Sequence, residues 1–269
     1  MNETRMNETR MTVTSMNVRL LLALAFVPLS LACPTTEEPP PPPGPICEEP
    51  TEPPCRDETL ASIDVNPTAV GEGVIENTAT DDGFDTYVDA TAGGAFGGDG
   101  AYVYGRFTDD GLEKVELNDD DSFGSMDWDI GFRRYVIRLN GGDGGPSCVS
   151  AANLGVSTPF ADVAAVPDDA DFQMDDFMSS TCVLVPDGSG LPTAPGVTLQ
   201  NFWDYTPEQC LGMTGNVYLL QLANARHVKL VVTQYYDPIE AQQACHDGEF
   251  GDFTGDESGN VHFWWAFLD

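Results

Sequence analysis

The stretch MDWDIGFRRYVIRLNGG, residues 126–142, carries the strongest indication of the fold. Its apolar residues first alternate on even positions, at Trp128, Ile130 and Phe132, and then on odd positions from Tyr135 to Leu139. Side chains alternate between the two faces of a strand, so one continuous register cannot bring both sets to one face. We therefore predict two strand segments separated by a bulge or bend.

The predicted bend falls near Arg133-Arg134, and Asn140-Gly141-Gly142 then supplies residues that tolerate the positive φ of a turn. These two arginines and Arg138 are three of only eight basic residues after position 32. Two interpretations are open. The arginines pair with neighbouring carboxylates such as Asp127 and Asp129, which we favour, or they hold an anionic group of a ligand.

Other aromatic and β-branched runs bounded by Gly, Asn or Asp predict further strands, at residues 101–107, 112–117, 216–223, 227–236 and 261–268. The first two read as a hairpin across Asp109-Asp110-Gly111. Asp168–Ser180 is the one stretch read as a short helix. The expected fold is all-β, a single antiparallel β-rich domain.

The charge balance limits the partners. The 269 residues include 44 Asp or Glu but only 11 Lys or Arg, which gives a formal net charge of -33. Nucleic acids and anionic lipid surfaces require a positive face, so electrostatic binding to either is excluded. The expected contact with a membrane is through a lipid anchor only.

The amino terminus reads as an export signal. Arg19 precedes the apolar run Leu20–Val27, which is too short to cross a bilayer, and Ala32-Cys33 resembles a lipoprotein processing site. Lipidation of Cys33 would place the protein on the outer membrane or cell surface. An ordinary cleaved signal and an uncleaved anchor are the alternatives.

A proline-rich segment follows the signal. Ten of the 20 prolines lie in Pro34–Cys55, where they prevent helix and central strand and favour an extended spacer of roughly 60–70 Å. We expect a tether, with a proline-motif ligand for a partner as the alternative. The predicted division is a signal peptide at 1–32, a lipidated cysteine and linker at 33–58, and a β domain at 59–269.

If Cys33 carries lipid, six cysteines remain, an even number that suits disulfides in an oxidising compartment. They are Cys47, Cys55, Cys148, Cys182, Cys210 and Cys245. Proximity in sequence favours Cys47–Cys55 and leaves the other pairings open. A zinc site is the rival interpretation, although the sequence contains no C-x-x-C pair.

The central stretch resembles the signature of the HmuY-like family of haem-binding lipoproteins, with supporting similarity at Asp85–Ala90, Tyr102–Val115, Val228–Asp237 and Val261–Leu268. The resemblance implies a hand-shaped all-β domain that is lipid-anchored to the outer membrane, captures haem and passes it to a TonB-dependent receptor. The motif positions, interpreted as structural, are Trp128, Asp129, Arg133, Arg134, Tyr135, Arg138, Asn140, Gly141 and Gly142.

The resemblance also implies where the iron ligands would lie. The best-known family member uses two loop histidines, and the corresponding positions here fall at Asp187–Leu191, nearest Ser189, and at Phe202–Tyr205. Neither segment contains His. Tyr, Met and His all bind haem iron, so the candidate ligand-binding residues are Tyr205, Met213 and His246.

Three further readings complete the set of candidates. His227 and His262 are expected to be ordinary strand residues rather than a bis-histidine site. Acidic runs such as Asp119–Asp121 offer hard oxygen ligands, so a calcium-stabilised interaction module without haem is the alternative function. An enzyme is not expected, because the sequence contains neither G-x-S-x-G nor H-E-x-x-H.

Overall fold

A computed structural model of the chain describes residues 44, 46–63, 65–93, 100–191, 193–207, 209–249 and 257–268. They lie within one unit, Pro42–Asp269. The signal peptide, Cys33 and most of the proline run fall outside the described residues. Within the described residues, no helix combines the length and apolarity needed to cross a membrane.

The described elements are, in chain order, α1 (Arg56–Ser62), β1 (Ile75–Thr80), β2 (Gly83–Asp89), β3 (Val103–Thr108), β4 (Gly111–Val115), α2 (Asp119–Ser122), β5 (Ile130–Arg133), β6 (Val136–Leu139), β7 (Ser150–Gly155), β8 (Trp203–Tyr205), β9 (Leu211–Met213), β10 (Val217–Gln221), β11 (His227–Tyr236), α3 (Ile239–His246) and β12 (Ser258–Leu268). Short 3-10 turns lie at Phe160–Asp162 and Gln200–Phe202.

The strands form a six-stranded sheet in the order β1-β2-β12-β11-β10-β7, a four-stranded sheet in the order β4-β3-β5-β6, and the separate pair β8-β9. Every pairing between these strands is antiparallel. The predicted all-β, antiparallel fold is confirmed. The strands expected at 101–107, 112–117, 216–223, 227–236 and 261–268 correspond to β3, β4, β10, β11 and β12.

The switch from even to odd apolar positions arises from a tight hairpin. In β5 and β6, Ile130 faces Leu139 and Phe132 faces Ile137, so even and odd positions share one face. The connecting loop is only two residues long, and its first residue, Arg134, has φ 49°. The predicted bend is therefore a complete reversal of the chain.

Aromatic side chains join the two larger sheets. Phe132 of β5 stacks on Phe263 of β12 with ring centroids 5.4 Å apart, and Phe107 of β3 meets Trp265 of β12 edge-on at 4.8 Å. Asn77 links the sheet edges, since its side chain accepts from the amide and donates to the carbonyl of Leu112. Burial of these large rings between the sheets contributes stabilising apolar contact.

The helix predicted at Asp168–Ser180 is wrong. The segment is extended and forms isolated bridges, including a reciprocal pair of backbone hydrogen bonds between Gln173 and Ala151. The side chain of Asp175 points inward, where its two carboxylate oxygens accept from the amides of Leu139 and Thr198. These non-local bonds outweigh the local helical preference of the sequence.

All six candidate cysteines form disulfides, but the pairing of Cys47 with Cys55 is wrong. The bridges are Cys47–Cys148, Cys55–Cys182 and Cys210–Cys245. The first two span 101 and 127 residues, so proximity along the chain was a poor guide.

The described end of the predicted 33–58 linker lies against the domain. Cys47 and Cys55 attach this segment through their disulfides. In addition, the amide of Ile46 donates to the carbonyl of Ala223, and the amide of Thr51 donates to the carbonyl of Pro146. Residues 46–58 are therefore part of the domain, and an extended spacer as predicted would have to end before residue 46.

Candidate functional site

The motif hairpin, β5 and β6, is part of the core. Arg138 is completely buried, and its guanidinium lies 4.6 to 5.4 Å from the ring centroids of Tyr102, Tyr104, Phe123 and Trp128. It donates to the Gly144 carbonyl, the Ser122 hydroxyl and the Tyr104 hydroxyl.

Burial acts against the charged form of Arg138, but the neighbouring Tyr104, Tyr102 and Asp119 outweigh it and raise the pKa of Arg138. The carboxylate of Asp119 is itself buried and accepts hydrogen bonds from the amides of Asn66 and Tyr102. The motif therefore contains a desolvated cation held by aromatic faces and a hydrogen-bonded network.

The other two motif arginines also point inward. Arg133 donates to the carbonyl of Ile63 and Arg134 to that of Ser258, each at 2.6 Å. The carboxylate of Asp129, the partner favoured by the sequence, accepts instead from the amide of Phe107. The two arginines thus attach the hairpin to the backbone of neighbouring segments. A buried guanidinium is stable only when acceptors in fixed positions bind its N–H groups.

The end of the motif holds the chain in a close turn. Asn140 donates to the carbonyls of Ser125 and Trp128. A Cβ on Gly141 would lie 2.2 Å from the carbonyl oxygen of Val149, and Gly142 has φ 63°. These contacts support a structural interpretation of the motif.

The short hairpin β8–β9 carries two of the three candidate ligands. Trp203 faces Met213 and Tyr205 faces Leu211, so the alternation of strand side chains puts Tyr205 and Met213 on one face. Tyr205 is 47% exposed and Met213 is half-buried. The two sequence candidates therefore share one face at diagonal positions, together with the buried Trp203 and Leu211.

Four contacts fix the β8–β9 hairpin to the domain. The indole of Trp203 donates to the Tyr135 carbonyl at 3.1 Å, in the loop of the motif hairpin. The amide of Leu211 donates to the hydroxyl of Tyr236, and Gln242 donates to the carbonyl of Leu211. The Cys210–Cys245 disulfide joins the hairpin to α3. Sequence reasoning missed Trp203 and Gln242 as positioning residues, because only the fold shows their contacts.

The third candidate, His246, lies next to that disulfide. It is the exposed last residue of α3, rather than a loop residue as the sequence suggested. Tyr205 pairs with Leu211, the neighbour of Cys210, and His246 follows Cys245, so one disulfide links the segments that carry these two candidates.

The hydroxyl of the neighbouring Tyr236 already accepts a hydrogen bond from the amide of Leu211. Burial, partly offset by the hydrogen bond from the Leu211 amide, raises the pKa of Tyr236 to about 12, and the charge of Tyr205 adds to the rise. Tyr236 therefore stays protonated and holds β9, whereas Tyr205 presents its ring to solvent.

The first segment implied by the resemblance, Asp187–Leu191, forms a small polar loop. The carboxylate of Asp187 accepts from both the amide and the hydroxyl of Ser189, and Gly188 and Gly190 have positive φ. The loop follows a ribbon in which Val183 and Val185 are exposed. Ser189 thus uses its hydroxyl to shape the loop.

His227 and His262 lie apart, as expected for strand residues. His227 opens β11 opposite Leu268, and His262 lies on β12 opposite Gln234. Burial lowers the pKa of each imidazole.

The described residues contain no group of three or more His, Cys, Asp or Glu side chains suited to a metal ion. Two carboxylates of the acidic runs, Asp119 and Asp175, instead bind backbone amides in the interior. The described part of the chain therefore gives the calcium alternative no support. The zinc alternative loses its cysteine ligands to the three disulfides.

The fold and sequence are similar to those of known proteins. A lipoprotein from Bacteroides fragilis is 15% identical with a TM-score of 0.39, covering 68% of this chain and 87% of that one. An HmuY-like haem-binding protein from Bacteroides vulgatus is 14% identical with a TM-score of 0.43, covering 71% and 97%. The apo HmuY analogue of Tannerella forsythia is 13% identical with a TM-score of 0.39, covering 74% and 98%.

These identities and scores are too low for residue roles to be transferred. None of the curated proteins matches the sequence. The family description HmuY protein, however, matches residues 86–246, more than half of the chain and including the whole motif hairpin, β8 and β9. The chain belongs to the HmuY family.

Proposed function

We propose that this protein is an exported, lipid-anchored carrier that binds haem at the β8–β9 hairpin and does not catalyse a reaction. The observation that carries the proposal is the exposed phenol of Tyr205, on the same face as Met213, on a hairpin fixed to a rigid core. A ligand site held by a stable scaffold keeps its geometry before the ligand arrives.

The candidate side chains suit an iron porphyrin. A phenolate oxygen and a thioether sulfur are both known axial ligands of haem iron, and a tyrosine ring can also lie against the apolar macrocycle. His246 is the third candidate because it is exposed beside the disulfide that fixes the hairpin. Ser189 is a weak candidate, since its hydroxyl is engaged by Asp187.

Charge determines how haem would sit. Two propionates carry negative charge, and a chain with net charge -33 repels them. We therefore infer that the propionates point to solvent, away from Asp204 on β8. Salt screens charge repulsion between exposed groups, so haem affinity should rise with ionic strength rather than fall.

Export and anchoring form the second part of the proposal. Three disulfides support passage into an oxidising compartment, where such bridges persist. The signal at residues 1–32 and lipidation of Cys33 would then place the domain at the outer membrane or cell surface, in reach of a TonB-dependent receptor. Labelling with palmitate should be lost in Cys33→Ala, and retained labelling would contradict this anchor.

Haem binding is tested by titrating the purified protein with haemin and following the Soret band. We expect a sharp, saturable Soret shift in the wild type, and a changed spectrum with at least roughly tenfold weaker binding in Tyr205→Phe, Met213→Ala or His246→Ala. Tyr87→Phe, on the six-stranded sheet, is the matched control and should bind as the wild type does.

Two outcomes would change the proposal. Unchanged spectra in all three site variants would move the ligand to another surface. Absence of any Soret shift in the wild type would favour the alternative, a cell-surface interaction module of the same fold without haem.

A further inference from the structure

A concave surface lies near the β1 edge of the six-stranded sheet, on its outer face, which is the face turned away from the four-stranded sheet. This cleft has a volume of about 420 Å³ and is lined by Glu76, Thr78, Asp85, Tyr87, Asp237 and His262. The register explains the grouping, because Glu76 faces Tyr87, Thr78 faces Asp85, and His262 faces Tyr87 across three adjacent strands. The cleft is thus built mainly on paired strands, and Asp237 joins it from the residue that follows β11.

The floor of the cleft is aromatic. The rings of Tyr87 and His262 lie 5.0 Å apart and tilted by 42°, and the Tyr87 hydroxyl donates to the side chain of Asn260. Trp264, two residues after His262 on the same face of β12, is 48% exposed and extends this aromatic row. The half-buried rings are held in place, which suits stacking with a flat cationic group.

The walls of the cleft are acidic. Glu76 and Asp237 are exposed and Asp85 is half-buried, and the described lining includes no Lys or Arg. Burial raises the pKa of Tyr87, and the charges of Asp89, Asp237 and Glu76 add to the rise. Burial lowers the pKa of His262 despite Asp85 and Asp237, which act to raise it. Asp237 therefore acts on both rings, Glu76 on Tyr87 alone and Asp85 on His262 alone.

We propose that this cleft docks a basic, extended segment of a partner protein, with an arginine side chain lying against the Tyr87–His262 floor and paired with the surrounding carboxylates. Charge complementarity argues for this occupant. Guanidinium groups stack on aromatic faces and form forked hydrogen bonds with carboxylates, whereas anionic partners are repelled by three negative side chains. The proposal does not depend on haem binding.

A metal ion is the less suitable occupant. The described residues hold no group of three or more His, Cys, Asp or Glu side chains arranged for a metal. The carboxylates of the cleft are spread along two strands and the end of a third, a spacing that fits a peptide rather than a single ion.

The test uses the purified full chain and a fluorescein-labelled peptide of alternating Arg and Ser residues, with binding followed by fluorescence anisotropy. The variant Glu76→Gln/Asp85→Asn/Asp237→Asn should bind the peptide at least about tenfold more weakly than the wild type. The control Asp162→Asn/Asp168→Asn/Asp169→Asn removes the same charge from exposed positions outside the cleft lining, and should weaken binding by less than about twofold.

Aromatic stacking is tested separately. Tyr87→Leu should weaken the peptide complex by about fivefold, whereas Tyr87→Phe, which keeps the ring, should leave it within about twofold of the wild type. Asp85→Asn and Asp237→Asn are measured singly as well, each with an expected loss of about threefold, so that a misfolded triple variant does not end the test.

Equal weakening in the cleft and control triple variants would overturn the proposal, because it would show attraction to overall negative charge. No measurable binding to the wild type would overturn it as well. Haemin titration of the cleft variant separates this inference from the proposed function, since a normal Soret shift is expected whatever the peptide does.

Discussion

The two hairpins joined by the Trp203–Tyr135 hydrogen bond differ in almost every other respect. All eight residues of β5 and β6 are buried, and the guanidinium groups of Arg133 and Arg138 each donate to a backbone carbonyl. In β8, two of three residues are exposed. The recognisable sequence belongs to the buried hairpin, whereas the proposed ligand Tyr205 lies at the exposed end of a strand that is anchored by the buried Trp203.

The largest expected effect falls on the buried hairpin. Arg138→Met should lower the free energy of unfolding by about 3–5 kcal/mol, because it removes a buried cation with three hydrogen-bond acceptors and leaves Asp119 uncompensated. Urea denaturation followed by tryptophan fluorescence measures the change.

Arg106→Met is the matched control for that substitution. Arg106 is on β3, is 47% exposed and pairs with Glu113, so its loss should cost no more than about 1 kcal/mol. If the two variants were equally stable, the buried arginine would not be the element that distinguishes the scaffold hairpin.

The next effect concerns the covalent link of the exposed hairpin. Replacing Cys210 and Cys245 together by Ser should cost about 2–4 kcal/mol, as expected for a bridge closing a loop of this length. Hydrogen exchange sharpens the comparison. Amides of β9 should lose protection in this variant while those of β5 keep theirs, and uniform loss in both would contradict the separation of the two regions.

A pH dependence should come from the scaffold. Burial raises the pKa of Asp129 from 3.8 to about 6, partly offset by the Phe107 amide. Between these pH values the folded state binds a proton that the unfolded state has released. The free energy of unfolding therefore rises as the pH falls from about 6 to 4, and above pH 6 the ionised Asp129 disfavours folding. The difference corresponds to about 3 kcal/mol.

Asp129→Asn should therefore reduce the rise in unfolding free energy between pH 7 and pH 4, as measured by urea denaturation at several pH values, and part of the remaining rise comes from Asp175, whose pKa burial also raises to about 6. Asp204→Asn, in the exposed hairpin, is the charge-matched comparison. A slope in Asp129→Asn equal to that of the wild type would show that Asp129 is not the group responsible.

The smallest expected effect is that of the proposed ligand. Tyr205→Phe should change the unfolding free energy by no more than about 0.5 kcal/mol, because the hydroxyl lies on an exposed side chain. Trp203→Phe, two residues earlier, should cost about 1–2 kcal/mol since the Tyr135 carbonyl loses its donor. The pair separates ligand binding from anchoring within one strand.

Much of the fold could be predicted from residue patterns alone. The strands between residues 216 and 236 and at 261–268 follow from aromatic and β-branched runs. The switch of apolar residues from even to odd positions after Phe132 required a change of register. The sharpness of that change was missed, because Arg134 and Tyr135 lack the Gly or Asn typical of a two-residue turn.

The errors share one physical cause, which is contact between residues distant in sequence. The helix predicted around Asp175 does not form, because the carboxylate of Asp175 binds the amides of Leu139 and Thr198, which are distant in sequence. Cys47 and Cys55 are near each other along the chain, yet each crosses the fold to another partner. The outer cleft has the same origin, since its carboxylates come from three separate segments.

The bridge between Cys47 and Cys148 also sets how the molecule responds to tension. A pull applied to the chain before residue 47 is carried through the sulfur atoms to Cys148, two residues before β7 begins at Ser150. Residues 48–55 and α1 are then bypassed, because the load no longer passes along their backbone. The load therefore enters the domain at Cys148 and does not pass along the backbone of α1.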